Sequence, residues 1–451
     1  MAGTLTEPGT VHAPPGRCPR LTLFLSAERP YAPPRVVPLG AFDELRIGRG
    51  DGERASRSDA GAVLEIGLDD ARLSTDHARL TRIGGRWLLE DRGSKNGTRV
   101  GGLRETRVFL GDGDVVEMGR SFFVFRRDAD DVEVASPGGA RVPGLETVVP
   151  SLAAAFDRLA AIARSDVPIV LRGESGAGKE VVARAVHALS GRSGRLVAVN
   201  CGALPEALVA SELFGHRRGA FTGANNDRAG FVRSADRGTL LLDEIADLPA
   251  SSQASLLRVL QEHEVTPVGA ALPVPVDVRV VTATRRDLES LVASGAFRED
   301  LWARLSGFVL HLPPLRDRRE DLGLVVASLL ERARPHAAGT VTLSVEAARA
   351  LCLHGWPRNV RELAHAIESA LALAADGHIE LHHLPPAVAA AATPTPVRED
   401  EDSSDGEAMA RRDELTALIR RHGGNLSAVA RDLRKDRKQI QRGQAAGDRS
   451  G

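Results

Sequence analysis

A glycine-rich stretch that ends in a lysine gives the clearest chemical signal in the sequence. Glycines let backbone N–H groups turn towards phosphate oxygens, and a lysine in this position reaches the β- and γ-phosphates of a nucleotide. Only four lysines occur among 451 residues, so chance is a poor explanation for one here. The spacing predicts a phosphate-binding loop, and a plain glycine-rich turn is the alternative. The loop residues are Gly173, Glu174, Ser175, Gly176, Ala177, Gly178 and Lys179.

Two adjacent carboxylates, Asp243 and Glu244, end the apolar run Gly238–Leu242. Asp243 is suited to coordinating Mg²⁺, and Glu244 is suited to polarising an attacking water. Glu180 stands directly after Lys179, where such loops usually carry Ser or Thr for Mg²⁺. Metal binding would therefore depend more on Asp243. Caps for the following helix are the alternative role for the two acids.

The loop requires a strand before it and a helix after it, and both patterns are present. Val167–Leu171 is a strand-like run, and Glu180–Leu189 has helical periodicity. Alternating strand and helix patterns around them predict an α/β fold. The region 21–127 differs, because short apolar runs are separated there by Gly- and Asp-rich turns. This region predicts an all-β sandwich, with runs at Leu21–Leu25, Leu45–Ile47, Val63–Ile66, Arg86–Glu90 and Phe122–Phe125.

Composition restricts the class of protein. Hydrophobic residues make up 43% and charged residues 26%, which is typical of globular domains. No apolar run has the length of a membrane span and residues 1–20 lack a secretory core, so we expect a cytoplasmic protein without membrane contact. Three scattered cysteines favour neither a disulfide framework nor a metal cluster. With a net charge of −1, any DNA contact must come from a local patch.

The region 145–386 resembles the AAA+ ATPase domain of bacterial sigma-54-dependent transcriptional activators, also called enhancer-binding proteins. The most specific string is GAFTGA at 219–224, which other AAA+ ATPases lack. In this family a glutamate at position 180 is usual. The matching strings are GESGAGKE at 173–180, SELFGH at 211–216, GFVRSADRGTLLLDE at 230–244, LLRVLQE at 256–262, FREDLWARL at 297–305, LPPLR at 312–316 and WPRNVREL at 356–363.

The resemblance implies roles for four further residues. Asn200 matches an asparagine that holds the catalytic glutamate until the neighbouring subunit responds. Arg298 and Arg304 match arginines that reach the ATP of the adjacent subunit, so hydrolysis would require a hexameric or heptameric ring. Arg361 matches the lid arginine that senses nucleotide. Without the resemblance, each of these arginines could be an ordinary solvated surface residue. Asn200 could likewise be an ordinary turn residue.

The GAFTGA loop is the element that the resemblance assigns to contact with sigma-54. Glycines on either side allow a tight excursion that lifts an aromatic ring and a hydroxyl outwards. A β-turn whose phenylalanine tucks into the core is the alternative. The loop residues are Gly219, Ala220, Phe221, Thr222, Gly223 and Ala224.

Three positions depart from the family pattern. Arg285 replaces the asparagine of the first sensor, Arg358 replaces a glycine, and Ser306 replaces an asparagine. The first change leaves the role of Arg285 open.

Residues 21–127 resemble a forkhead-associated domain, a β-sandwich that binds phosphothreonine peptides. Arg49 would supply a cation and Ser74 a hydroxyl to the phosphate, while Asn96 would bond the peptide backbone. His77 is interpreted as structural. An insert at 50–62 lies near these ligand loops. Binding of a non-phosphorylated partner by the same fold is the alternative.

The tail resembles the helix-turn-helix of the factor-for-inversion-stimulation type. Its cations and amides suit phosphates and base edges, although Arg434 replaces the turn glycine. A solvated charged helix is the alternative. The candidate DNA contacts are Arg434, Lys435, Arg437, Lys438, Gln439, Gln441 and Arg442.

The sequence as a whole predicts a three-domain activator of sigma-54 RNA polymerase. It would bind ATP and Mg²⁺, a phosphothreonine-containing protein and upstream enhancer DNA. An AAA+ machine with another client and a non-enzymatic phosphoprotein- or DNA-binding scaffold are the alternatives. The predicted order is a disordered N-terminus at 1–20, a forkhead-associated all-β sandwich at 21–127, a linker at 128–144, an α/β AAA+ P-loop domain with an α-helical lid at 145–386, a linker at 387–407, a small all-α helix-turn-helix at 408–443 and a tail at 444–451.

Overall fold

The computed structural model describes residues 17–58, 61–130, 142–335 and 339–393. The predicted helix-turn-helix at 408–443, with its candidate DNA contacts, lies outside the described residues. So do most of the predicted disordered N-terminus and of the first linker.

The N-terminal domain is a sandwich of two sheets, as the sequence predicts. One sheet has the strand order β2-β1-β12-β11-β8-β9 and the other β10-β7-β6-β3-β5-β4. Leucine, isoleucine and aromatic side chains from both sheets fill the space between them. The strands are β1 Arg17–Ser26, β2 Arg35–Pro38, β3 Glu44–Arg49, β4 Glu53–Ser58, β5 Gly61–Leu68, β6 Ala78–Ile83, β7 Arg86–Asp91, β8 Thr98–Val100, β9 Leu103–Glu105, β10 Arg107–Phe109, β11 Val115–Met118 and β12 Ser121–Asp130.

The central domain is a parallel five-stranded sheet between two helical layers. Its strand order is β14-β15-β18-β13-β19. Helices α1 and α2 cover one face, while α3, α5 and α7 cover the other. The strands are β13 Ile169–Arg172, β14 Leu196–Asn200, β15 Thr239–Asp243, β16 Glu264–Val265, β17 Val274–Pro275, β18 Arg279–Thr284 and β19 Phe308–His311; the helices are α1 Pro150–Ile162, α2 Lys179–Ser190, α3 Glu206–Phe214, α4 Gly230–Ser234, α5 Ala250–Glu262, α6 Leu288–Ala293 and α7 Glu299–Leu305.

A helical lid follows, joined to the central domain by the 3₁₀ segment Leu315–Asp321. A short parallel pair of strands, β20 Thr342–Leu343 and β21 His378–Ile379, braces the lid. Its helices are α8 Leu322–Ala333, α9 Val345–Leu353, α10 Asn359–Leu373 and α11 Pro386–Ala389.

The sandwich and the lid share one hydrophobic core. Phe24, Phe122 and Val124 of the sandwich are fully buried and belong to the same cluster as Val326 and Leu351 of the lid. A backbone hydrogen bond of 2.8 Å from Leu343 N–H to the carbonyl oxygen of Ala27 also joins them. The sandwich is therefore packed directly against the helical lid.

Three predicted boundaries need correction. Strand β1 begins at Arg17, inside the stretch assigned to a disordered N-terminus, because its residues pair with β12. Strand β12 continues to Asp130, past the predicted end at residue 127. Residues 387–392, which were assigned to a linker, belong to helical turns, because Val388 and Ala392 are buried in the lid core. Among the described helices, none is long and apolar enough to cross a membrane.

Candidate functional site

The glycine-rich loop lies between β13 and α2, as predicted, and its glycines are needed for backbone shape. Gly176 and Gly178 have φ angles of 75° and 108°, which side-chain-bearing residues rarely adopt. A Cβ at Gly176 would also lie against the backbone of Arg358 in the lid. The loop therefore presents its N–H groups at the start of α2, where the helix dipole favours a phosphate.

The side chain of Lys179 is fixed inside this loop by two hydrogen bonds. Its Nζ donates to the carbonyl oxygens of Gly173 at 2.9 Å and Glu174 at 3.1 Å, and the side chain is buried. Burial lowers its pKa, while the nearby charges of Asp243 and Glu244 oppose that shift. Since β13 and β15 are parallel strands of one sheet, Lys179 lies at the same edge of the sheet as these two carboxylates.

The carboxylates lie at the carboxyl edge of the parallel sheet. Register pairing aligns Asn200, Asp243 and Ala283 across β14, β15 and β18. The Oδ1 atom of Asp243 accepts from the N–H of Glu244 at 3.0 Å. Glu244 has a left-handed backbone, with φ 51° and ψ 48°, a conformation that concentrates at functional sites.

Glu244 contacts Arg285 rather than Asn200. Its Oε2 atom accepts from the N–H of Arg285 at 3.5 Å, and its Oε1 atom lies 4.0 Å from Nε of the same residue. The side chain of Asn200 accepts from the N–H of Gly202 and closes its own turn. The residue that replaces the usual sensor asparagine therefore lies beside the predicted catalytic acid.

The 3₁₀ segment Leu315–Asp321 and the lid both hold the loop, through residues that the sequence analysis did not assign. Arg316 makes a bidentate ion pair with Glu174, at 2.6 and 2.9 Å. Asn359 donates to Oε2 of Glu174 and to the carbonyl of Ser175. Arg316 and Asn359 together lower the pKa of Glu174 to about 2. The predicted lid arginine, Arg361, donates to the Ser175 hydroxyl at 2.8 Å.

Arg316 and Asn359 lie inside two strings that resemble the family, LPPLR and WPRNVREL. That resemblance was the one feature of the sequence from which their role could have been predicted. Asn359 takes the left-handed conformation at φ 56°, which asparagine tolerates well. Arg358 has a φ of −107°, so no glycine is required there.

Three other predicted residues point away from Lys179. Glu180 pairs with Arg184 one turn further along α2, on an exposed surface. Arg298 pairs with Asp300 at the start of α7. Arg304 donates to the carbonyl of Leu260. Within the described part of this chain, neither Arg298 nor Arg304 makes a hydrogen bond or ion pair with the loop.

The GAFTGA loop is a compact exposed turn. Gly219 and Gly223 have φ angles of 81° and 97°, and the N–H of Gly219 donates to the carbonyl of Ala224 at 2.8 Å. Phe221 and Thr222 are exposed, although the Phe221 ring meets His216 edge-on at 5.0 Å. The alternative with Phe221 in the core is therefore wrong.

The predicted phosphopeptide residues meet at one end of the sandwich. Arg49 is exposed and its N–H donates to the carbonyl of Ser74. The Ser74 hydroxyl accepts from the N–H of Lys95 at 3.1 Å, and Asn96 donates to the carbonyl of Arg72 at 2.7 Å. His77 is fully buried and its Nδ1 accepts from the N–H of Ser74, which agrees with a structural role.

The insert at 50–62 builds a cleft beside these loops. It contributes β4 as an extra edge strand paired with β5. The cleft has a volume of about 720 Å³ and is lined by Arg49, Thr75, Arg79 and Arg92 among others. A peptide bound at Arg49 would therefore have a charged cleft next to it.

Comparison with known proteins agrees with this geometry. Residues 146–311 match the Sigma-54 interaction domain, residues 316–401 match the AAA+ ATPase lid domain, and residues 45–119 match the FHA (forkhead-associated) domain. The chain therefore contains a Sigma-54 interaction domain and an AAA+ ATPase lid domain. Its central region is an AAA+ domain with its lid, and a forkhead-associated domain precedes it.

Several regulators are similar to this chain over about two thirds of its length. The acetoin catabolism regulatory protein of Cupriavidus necator is 44% identical over 64% of this chain and 44% of its own length. The transcriptional regulatory protein ZraR of Klebsiella oxytoca is 42% identical, over 64% of this chain and 66% of its own. The chain thus spans less than two thirds of the length of these relatives. Crystalline NtrX from Brucella abortus in complex with ADP is 30% identical over 67% of this chain and 69% of its own, with a TM-score of 0.50.

Proposed function

We propose that this protein hydrolyses ATP to activate transcription by sigma-54 RNA polymerase, under the control of a phosphothreonine-containing partner. The observation that carries the proposal is the placement of Lys179 after strand β13 and of Asp243 and Glu244 at the end of strand β15, at the same edge of one parallel sheet. Phe221 and Thr222 are exposed elsewhere on the same domain. A motor needs this separation, because the residues that hydrolyse ATP must differ from the residues that contact and move the partner protein.

The chemistry follows from the charges at the loop. The loop N–H groups and Lys179 would bind the phosphates, and Lys179 would exchange its two carbonyl partners for phosphate oxygens. Asp243 fits Mg²⁺, because this ion is commonly held by one or two carboxylates together with substrate phosphates. Bound Mg²⁺ would neutralise charge on the phosphates. Glu244 would orient the water that attacks the γ-phosphorus, and Arg361 would bring the lid to the nucleotide.

Assembly would supply what one subunit lacks. Arg298 and Arg304 have exposed or half-exposed side chains whose hydrogen bonds all lie away from Lys179. In a ring of six or seven subunits they would reach the ATP of the neighbour and compensate developing charge, so hydrolysis would depend on protein concentration. Asn200 would then act on Glu244 only in that assembled state.

The input would be a phosphothreonine peptide at Arg49, Ser74 and Asn96. Arg49 has no hydrogen bond or ion pair to its guanidinium among the described residues, so this cation is free for a phosphate. The tail at 408–443 would bind upstream DNA, and the basic residues Arg434, Lys435, Arg437, Lys438 and Arg442 support that assignment.

The full chain should be assayed at rising concentration for ATP hydrolysis and for open-complex formation with sigma-54 RNA polymerase. We expect a turnover rate per subunit that rises with concentration, and open complexes that require hydrolysable ATP. Glu244→Gln is the matched control, because it keeps the shape of the site and removes the charge that orients water. Turnover without open complexes would favour another client, and the absence of turnover at any concentration would favour a scaffold.

A further inference from the structure

The 3₁₀ segment Leu315–Asp321, called here the linking segment, contacts the nucleotide loop and the sandwich at the same time. It connects the central domain to the lid and has a single kink at Arg318, with φ −127° and ψ 49°. Arg316 and Arg318 reach the loop, and Glu320 reaches the sandwich.

Two arginines of the linking segment hold the nucleotide loop. Arg316 makes the bidentate ion pair with Glu174. Arg318 donates from Nη2 to the carbonyl of Ala177 at 2.6 Å, and its side chain is 8% exposed. A buried guanidinium with a backbone acceptor fixes the position of that carbonyl, because moving either partner leaves a buried charge without its hydrogen bond.

The other side of the linking segment is held by the sandwich. Glu320 is 2% exposed and accepts from Nε and Nη2 of Arg126 at 2.6 and 2.9 Å. Arg20 adds a longer contact of 3.4 Å to the same carboxylate. Arg126 also donates to the carbonyl of Asp317 at 3.1 Å. Burial alone would raise the pKa of Glu320, and the Arg126 pair outweighs this and lowers it.

The contacts of the linking segment with the loop and its contacts with the sandwich come from neighbouring residues. Glu320 is two residues from Arg318, and Asp317 lies between Arg316 and Arg318. If Arg126 left, a buried carboxylate would lose its bidentate partner and would have to move towards water. A segment this short cannot shift at Glu320 without changing the direction of the Arg318 side chain.

We propose that Arg126 of the forkhead-associated sandwich is a positioning residue for nucleotide binding, acting through Glu320 on the two arginines that hold the phosphate loop. The proposal rests on the proposed function, since it assumes that the loop binds a nucleotide. The docked sandwich thereby maintains the loop in its binding-competent shape, and separation of the sandwich from the lid weakens nucleotide binding.

A second ion pair of the same interface provides a matched control. Arg349 of helix α9 donates from Nε and Nη2 to Glu117 of the sandwich at 2.6 and 2.7 Å, and both side chains are largely buried. It resembles the Arg126–Glu320 pair in geometry but does not touch the linking segment. Its loss therefore tests docking strength alone.

The test measures the affinity of the full chain for a fluorescent ADP analogue by titration, together with KM and kcat for ATP. For Arg126→Gln and Glu320→Gln we expect a Kd raised about two- to thirtyfold, the range that indirect positioning residues give. KM should rise similarly, with kcat within a few-fold of wild type. The double variant should lose no more than the weaker-binding single variant, because the two act as a unit. Arg349→Gln should stay within about twofold of wild type.

Each result decides something different. If the wild type binds no nucleotide, the proposed function fails. If the wild type binds and Arg126→Gln binds equally well, or if Arg349→Gln weakens binding as much as Arg126→Gln, the positioning role is wrong. Should Arg126→Gln not fold, Arg126→Lys keeps the cation and one hydrogen bond. It should then raise the Kd in the same direction by a smaller factor, and an unchanged Kd would equally overturn the proposal.

Discussion

Replacing Gly323 by alanine tests whether the sandwich is docked on the lid as the structure describes. Gly323 is the second residue of helix α8 and is buried against strand β1. A Cβ built on it would lie 1.7 Å from the carbonyl oxygen of Phe24, which belongs to the backbone of the sandwich. Since ordinary contact begins near 3.4 Å, the two elements would have to move apart by about 1.7 Å. Such a shift would disrupt the bond from Leu343 to Ala27 and strain the Arg126–Glu320 pair.

Whether Gly323→Ala raises or lowers the free energy of unfolding distinguishes an undocked lid from a docked one. Alanine is favoured over glycine inside a helix by up to about 1 kcal/mol, so an undocked lid would be stabilised by the substitution. Overpacking a well-packed interface costs about 1–3 kcal/mol. Because the overlap is with a backbone atom of Phe24, the cost should lie in the upper part of this range, and we expect a net loss of about 1–2 kcal/mol. For a unit of this size, each kcal/mol lowers the Tm by about 2–4 °C.

Thermal unfolding of the full chain, followed by circular dichroism, measures this change. Gly355→Ala is the control, because a Cβ at Gly355 meets nothing within 4 Å and the residue lies in the same lid. We expect Gly355→Ala to leave the Tm nearly unchanged. A Gly323→Ala protein that melts at or above the wild-type temperature would refute the docking of β1 on α8, and with it the argument for the linking segment.

Three further predictions concern the ATPase site, the input site and the output loop. Lys179→Ala should weaken nucleotide binding by about ten- to a hundredfold, because charge-assisted hydrogen bonds to phosphate are lost. Glu244→Gln should bind nucleotide normally and not hydrolyse it. Equal nucleotide affinities for wild type and Lys179→Ala would contradict the loop assignment. Arg49→Ala should weaken binding of a phosphothreonine peptide by about ten- to a hundredfold, and a wild-type protein that binds phosphorylated and plain peptides alike would favour a phosphate-independent partner. Thr222→Ala should keep ATP hydrolysis within a few-fold of wild type and lose binding to sigma-54 in the presence of a transition-state mimic, since Thr222 is exposed and has no part in phosphoryl transfer. If its Tm, hydrolysis and transcript yield fall together, the loop is structural.

The fold was predictable because its signals are local. Short apolar runs in 21–127 predict strands, and the runs at Leu21–Leu25 and Phe122–Phe125 lie in β1 and β12, which pair in the structure. The ends of the strands and helices were harder to predict from the sequence. Strand β1 begins at Arg17, where the only reason for a strand is its partner in β12, and such a partner is invisible in a local pattern.

The nucleotide site was also largely predictable, since a strand, a glycine loop and a helix are contiguous in sequence. Lys179 and Asp243 lie where the pattern requires, because parallel strands bring their carboxyl ends to one edge. The partner of Glu244 was not predictable from the resemblance. The partner is Arg285, the position at which this chain departs from the family pattern. Its backbone N–H would be present in almost any residue, and its guanidinium adds a cation 4.0 Å from the carboxylate.

The contacts that join the sandwich to the motor had no sequence signal, and the reason is physical. Arg126 and Glu320 are 194 residues apart, and Glu117 and Arg349 are 232 apart, in a chain where arginine is abundant. Charged residues are mostly exposed, so each of these four reads as an ordinary surface residue until the fold buries it. Once buried, each requires a partner, which makes the pairing specific even if it adds little net stability. Paired charges can therefore fix the register of the interface between the sandwich and the lid, while the shared hydrophobic core supplies the stability.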